Sequence, residues 1–156
     1  MSDLPRTDDR RPADVVSAMV SRVLGLAGTW TAWDGVPRSV EGRLYTPHKA
    51  IRRVTDHLVD HLAEIEARVA GVPTIPDSWH ASATTTPADL ASFTADDLDE
   101  ARSRLIRLAQ IFEIRLRALT QAQLDHRDTG AWSPLQIAFH LEESSYYAEA
   151  VGDLSR

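Results

Sequence analysis

The sequence predicts an all-α protein, a four-helix bundle with long crossover connections, and three observations carry that prediction. Apolar residues recur at three-and-four spacing in four separate stretches. Two of those stretches open on Thr or Ser followed by Pro, a side-chain cap and then a residue whose missing N–H costs a first turn nothing. No run alternates convincingly enough for a strand. Four helices of bundle length without a sheet can bury their apolar stripes only against each other.

Taken in chain order, residues 1–11 are polar and expected to form a flexible N-terminus, leaving 12–156 as a single domain. From Pro12, Val16, Met19, Val23 and Leu26 form one helical stripe, with Gly28 just past its end. The stretch 29–45, with two Trp, two Gly and a Pro, reads as an ordered loop. Thr46 and Pro47 start the best-defined helix, whose stripe of Ile51, Val54, Leu58, Leu62, Ile65 and Val69 runs to Gly71. A long connection, 72–93, carries prolines, serines and threonines but also Trp79 and Phe93, so it drapes over the bundle. Thr94 then caps a third helix with Asp97 at its third position, a weak variant of the capping box, and Leu98, Ala101, Leu105, Leu108, Phe112 and Leu119 form its stripe. "DHRDTGAW" breaks that helix; Ser133 and Pro134 open the fourth, with Ile137, Leu141, Ser144, Ala148 and Val151 in line.

At 156 residues the chain is the size of one domain with a core of its own. Hydrophobic residues make up 43% and charged residues 26%, as in a soluble globular protein. No apolar run approaches the ~18 residues of a membrane span, and the N-terminus lacks the basic-then-apolar order of a signal peptide, so the expectation is a cytoplasmic protein without a membrane. A net charge of -6 without a basic surface argues against nucleic acid. With no cysteine, any sulfur chemistry must come from a substrate or cosubstrate.

The chemistry-bearing residues are histidines. His57 and His61 lie four apart and can face one ion; with the stripe centred on Leu58 and Ile65 they fall roughly 60–100° off centre, at the core's margin. Such a pair is more often polar decoration than a site. A third imidazole changes the balance, and His140, roughly 60° off its own stripe, is the candidate. Three imidazoles with open positions suit a catalytic metal, since structural zinc takes four ligands, often sulfur. Zn, Ni or Fe would fit such nitrogen ligation. Glu143, three residues after His140, is a candidate catalytic base, although an exposed acid is the blander reading. Asp56 and Asp60 are candidate acceptors for the ring nitrogens. Trp79, His80 and Tyr146 are candidate substrate-binding residues at loops and helix ends, and Trp132 reads as a plug at the bundle end.

Residues 98–151 resemble the first two helices of the DinB-like (YfiT) bundles, in which a loop ending in Trp-Ser/Thr leads into a helix bearing a metal-binding His eight residues after the Trp. Trp132, Ser133 and His140 match that pattern. "DHLVDHLAEI" resembles the family's last helix, with His57 and His61 in its ligand positions. The order is altered, because the helix resembling the last precedes the two resembling the first. Either the chain is a circular permutation of the family's bundle or the helices correspond differently.

The resemblance implies a divalent metal held by His57, His61 and His140, and a low-molecular-weight thiol such as mycothiol or bacillithiol as cosubstrate of a transferase. Two alternatives stand beside it: a metal-dependent hydrolase or lyase activating water, and a non-catalytic bundle that binds a ligand or partner. A small-molecule substrate and a possible homodimer complete the expectation.

Overall fold

The computed structural model describes residues 4–76 and 83–155. Helix α1 spans Pro12–Ala27, starting on Pro12 after an extended Arg11. A 3-10 turn at Trp30–Ala32 follows, then two short strands, β1 (Arg38–Val40) and β2 (Arg43–Tyr45). Helix α2 spans Pro47–Ala70 and α3 spans Ala95–Ala118. The short α4 (Gln121–Asp125), α5 (Pro134–Glu142) and α6 (Ser145–Val151) complete the order.

The helix starts follow the local chemistry. The Thr46 hydroxyl accepts from the Lys49 amide at 3.1 Å. At the far end of α2, Gly71 turns left-handed (φ 72°) and the Val72 amide reaches back to the Ala67 carbonyl, closing the helix on a glycine. Thr94 and Asp97 form a full reciprocal capping box at 2.8 and 3.2 Å. Ser133 and Gln136 form another at the start of α5.

The fold is mostly helical, and it departs from the all-α expectation in one place. The antiparallel pair Arg38–Tyr45, Ser39–Leu44 and Val40–Arg43 closes through Glu41 (φ 50°) and Gly42 (φ 77°). Two consecutive positive φ angles mark a type I′ turn, which normally announces itself as Asn-Gly or Asp-Gly. Glutamate in the first position and strands of three residues left nothing for periodicity to detect. The hairpin lies against α6, and the buried Lys49 ties it to α2: its Nζ donates to the Leu44 carbonyl at 2.6 Å and to Thr85 Oγ1 at 3.1 Å.

Two helices also end differently from expectation. The third stops at Ala118, earlier than "DHRDTGAW", because Thr120 and Gln123 form a fresh capping box that starts α4. The fourth is not continuous. Between His140 and Tyr147 the amides of Glu143, Ser144, Tyr146 and Tyr147 bond three residues back, a local 3-10 tightening that divides α5 from α6.

Helix α1 packs against α3, α5 and α6, and α2 packs against the same three. The core between them is lined by Val16, Val23, Leu58, Leu105, Phe112, Ile137 and Leu141, all fully buried. Trp30 is buried with them, edge-on to Phe93, and its Nε1 donates to the Gly152 carbonyl at 2.8 Å. The stretch Pro12–Ala32 is, contrary to the sequence expectation, long and apolar enough to cross a membrane by length and composition. Its Val15, Val16, Met19, Val20 and Val23 are buried in the core, the pattern of a central helix. The segment expected to be flexible is held at Arg10, which pairs with Glu142 at 2.8 and 3.0 Å and lies over the Phe139 ring.

Candidate metal centre

The site sits where α2 meets α5 and α6, beside the 3-10 tightening. His57 and His61 extend from one flank of α2, and His140 meets them from the last turn of α5. His57 is 7% exposed, His61 9%, and the His140 side chain 21%. One nitrogen from each ring lies within 4.8 Å of the other two. The Nε2 atoms of His57 and His140 are 3.0 Å apart. Two nitrogens each about 2.0–2.1 Å from a shared ion would stand about 3.0–3.4 Å apart, so that pair is already at ligand spacing.

Each outward nitrogen has a partner able to accept from an Nδ1–H. His57 Nδ1 lies 2.6 Å from Ser144 Oγ, which is fully buried, and His61 Nδ1 lies 2.9 Å from Glu64 Oε2. His140 Nδ1 lies 3.4 Å from Glu143 Oε2. With Nδ1–H donating outward, the Nε2 lone pairs of His57 and His61 are left for the interior, the arrangement in which a carboxylate or hydroxyl orients a ligating imidazole.

Burial keeps the His57 and His140 rings neutral. Burial, with smaller effects from His61, His140 and Arg53, lowers the His57 pKa to about 2. Burial and the neighbouring His61 lower that of His140 to about 4, against a small opposing pull from Glu64. A ligand must be deprotonated to bind a cation, and at neutral pH these two rings already are. A trio of imidazoles converging from two helices fits a divalent ion and leaves positions open for an exogenous ligand.

Trp132 caps the trio. Its ring centroid is 4.5 Å from that of His140 and 6.5 Å from that of His61, nearly parallel to the latter. It also packs against the core, as a plug would. Two clefts reach the trio. One of about 570 Å³ is lined by Leu4, Arg6, Trp132, His140, Glu142 and Glu143; another of about 440 Å³ is lined by His57, Glu143, Ser145, Tyr146, Tyr147 and Glu149.

The structure therefore gathers the three predicted ligands, and it places Glu143 on both clefts. The Tyr146 ring lines the second cleft, and its hydroxyl donates to Glu41 Oε2 at 3.1 Å on the hairpin turn. Trp79 and His80 lie outside the described residues. Ser144 and Glu64 hold the ring nitrogens for which Asp56 and Asp60 were the candidates; Asp56 lines a separate cleft with His48, Arg52 and Asp89. Ser144 had a sequence signal, being a polar residue in the middle of an apolar stripe. Glu64, about one turn past His61, carries no signal that separates it from other acids on α2.

No family model matches the chain, and no curated protein or solved structure matches it.

Proposed function

We propose that the protein binds a divalent metal through His57, His61 and His140 and acts as a DinB-like transferase of a low-molecular-weight thiol. The observation that carries the reading is the orientation of the rings: three imidazoles converge on one point while Ser144 and Glu64 hold the outer nitrogens of two of them. In this reading α5 and α6 form one broken arm of a four-helix bundle with long crossover connections, circularly permuted relative to its relatives. The packing of α2 on both α5 and α6 supports it, because that contact is what the altered helix order demands.

The residues divide the work by position. His57, His61 and His140 hold the cation, Zn, Ni or Fe, with Ser144 and Glu64 fixing two of the rings. When bound, the cation supplies a lowered pKa for a thiol brought to an open position. Trp132 keeps water from the reacting sulfur. A C–S bond then forms to an electrophilic carbon as the carbon's bond to its leaving group breaks, and the leaving group departs with the electron pair. The thiol proton passes to solvent or to Glu143 at the cleft mouth. The missing cysteines are consistent with this scheme, since the reactive sulfur arrives with the cosubstrate.

The test begins with metal analysis of untagged protein. About one equivalent in the wild type and under a tenth in His57→Ala is the expected result. Metal below a tenth of an equivalent in both would sink the reading. Electrophile consumption is then followed with and without a bacterial thiol; turnover that ignores the thiol would remove the transferase and point to water as the nucleophile.

A further inference from the structure

Arg53 stands one turn before His57 on the same flank of α2, where side chains four apart are neighbours at roughly 5–6 Å between Cβ atoms. Its guanidinium lies over the Tyr147 ring, 5.0 Å from the centroid, and Tyr147 lines the cleft that also exposes His57 and Glu143. Among the described residues no hydrogen bond or close ion pair engages it, its Nε is buried without a partner, and Asp56, three residues on, feels its charge without contact. The contrast with its neighbour is sharp: Arg52, the next residue, is held by Asp89 at 2.6 and 3.2 Å. Burying a guanidinium N–H without a partner is unfavourable, and an ordinary surface arginine would turn to water. Arg53 is instead held over an aromatic face beside the histidines, and its charge reaches both His57 and His140.

We propose that Arg53 is the anchor for a carboxylate on the small molecule that occupies this site. A guanidinium takes a carboxylate through two parallel N–H donors, and its planar fork matches that group. A dianionic phosphate suits the cleft less well, because two carboxylates, Glu143 and Glu149, line it beside Tyr147, and of these Glu149 is paired with Arg22. The one-turn offset puts Arg53 and His57 on one flank of α2, so a short thiol acid is the probe that can test both anchors together. Tyr147 braces the guanidinium, so the anchor keeps one direction when the cleft is empty. The proposal rests on the metal reading only for the ligand's second anchor; the carboxylate contact belongs to Arg53 itself.

The test uses the full chain, Co(II)-loaded and metal-free, with 3-mercaptopropionate and 3-mercaptopropanol as probes. In the loaded protein the thiolate-to-cobalt absorption band reports binding. The acid is expected to bind at least about tenfold tighter than the alcohol, a charge-assisted bidentate pair being worth that much. Arg53→Gln removes the preference while leaving alcohol binding within about twofold, which also shows that the variant is folded; Arg53→Lys recovers part of it. In the metal-free protein, propionate raises the unfolding temperature of wild type above that in equimolar chloride, and phosphate does not exceed it; Arg53→Gln shows no such rise. Equal binding of acid and alcohol by the wild type, retention of the preference in Arg53→Gln, or stronger stabilisation by phosphate overturns the proposal. If cobalt does not bind, the metal reading falls alone, and the metal-free comparison decides on Arg53: equal responses of wild type and Arg53→Gln overturn it.

Discussion

Ser144→Ala perturbs the site without touching a ligand. The hydroxyl is fully buried and 2.6 Å from His57 Nδ1, at the point where α5 gives way to α6. Removing it leaves the Nδ1–H donor without a partner in a buried setting, a cost of about 1–3 kcal/mol. It also frees the ring to rotate or to change tautomer, and a tautomer with the proton on Nε2 cannot ligate. Since 1.4 kcal/mol is a factor of ten, the variant is expected to bind metal about 10–100-fold more weakly, in line with the loss of comparable orienting contacts elsewhere. The assay is competitive titration with a colorimetric chelator, with the visible spectrum of the Co(II) form read in parallel. Weaker binding with an unchanged spectrum is expected, because the three nitrogens remain. Affinity within twofold of wild type would show that the His57 ring is fixed by packing alone and that the hydroxyl contact is incidental.

Three further outcomes follow from the same geometry. His57 and His140 hold lower pKa values in the folded chain, about 2 and about 4, than the roughly 6.5 they regain on unfolding, so below that value the unfolded state binds more protons. Metal-free protein therefore loses stability as pH falls from 7 to 5, by up to about 1.4 kcal/mol per pH unit for each ring, and His57→Gln shows a shallower slope in urea unfolding; identical midpoints at pH 7 and 5 would contradict the neutral buried rings. Leu105→Ala, in the core of α3 and fully buried, costs about 2–5 kcal/mol by denaturant titration yet leaves the metal content of the folded fraction intact; loss of both together would mean that the site depends on the whole core. Glu64→Gln keeps an acceptor for His61 Nδ1–H but removes the charge, so metal affinity falls less than in Glu64→Ala; the reverse order would deny the contact its orienting role.

What was legible in the sequence was the chemistry that acts over three or four residues. Thr46-Pro47, Thr94 with Asp97, and Ser133-Pro134 mark their helices because a cap needs only its own first turn. The His57–His61 pair is visible for the same reason. Less legible were features set by tertiary contacts or by uncommon turn chemistry. The hairpin turns on Glu41 in a left-handed conformation, and its strands are held by Tyr45 packing inward and by Lys49 from below rather than by any periodic run. The α5–α6 break carries neither Gly nor Pro and exists only as a change in hydrogen-bond register. Trp132 stands out in the sequence through its spacing to His140, but only the fold turns its ring onto His140 and His61.

The break and the site explain each other. In a continuous α-helix, His140 and Ser144 would stand one turn apart on nearly one face and follow the helix axis away from α2. The 3-10 tightening draws that turn in and lets both reach His57, His140 at the His57 Nε2 and the Ser144 hydroxyl at the His57 Nδ1, so two atoms of one ring are held by two residues of one neighbouring arm. The same tightening turns Tyr147 toward Arg53 and sets Tyr146 against the hairpin turn at Glu41. A helix made solely to bury Ile137, Leu141, Ala148 and Val151 would gain nothing from the irregularity, since all four lie on one stripe. The cost of a poorer backbone register is therefore attached to the polar residues, and those residues converge on a single point.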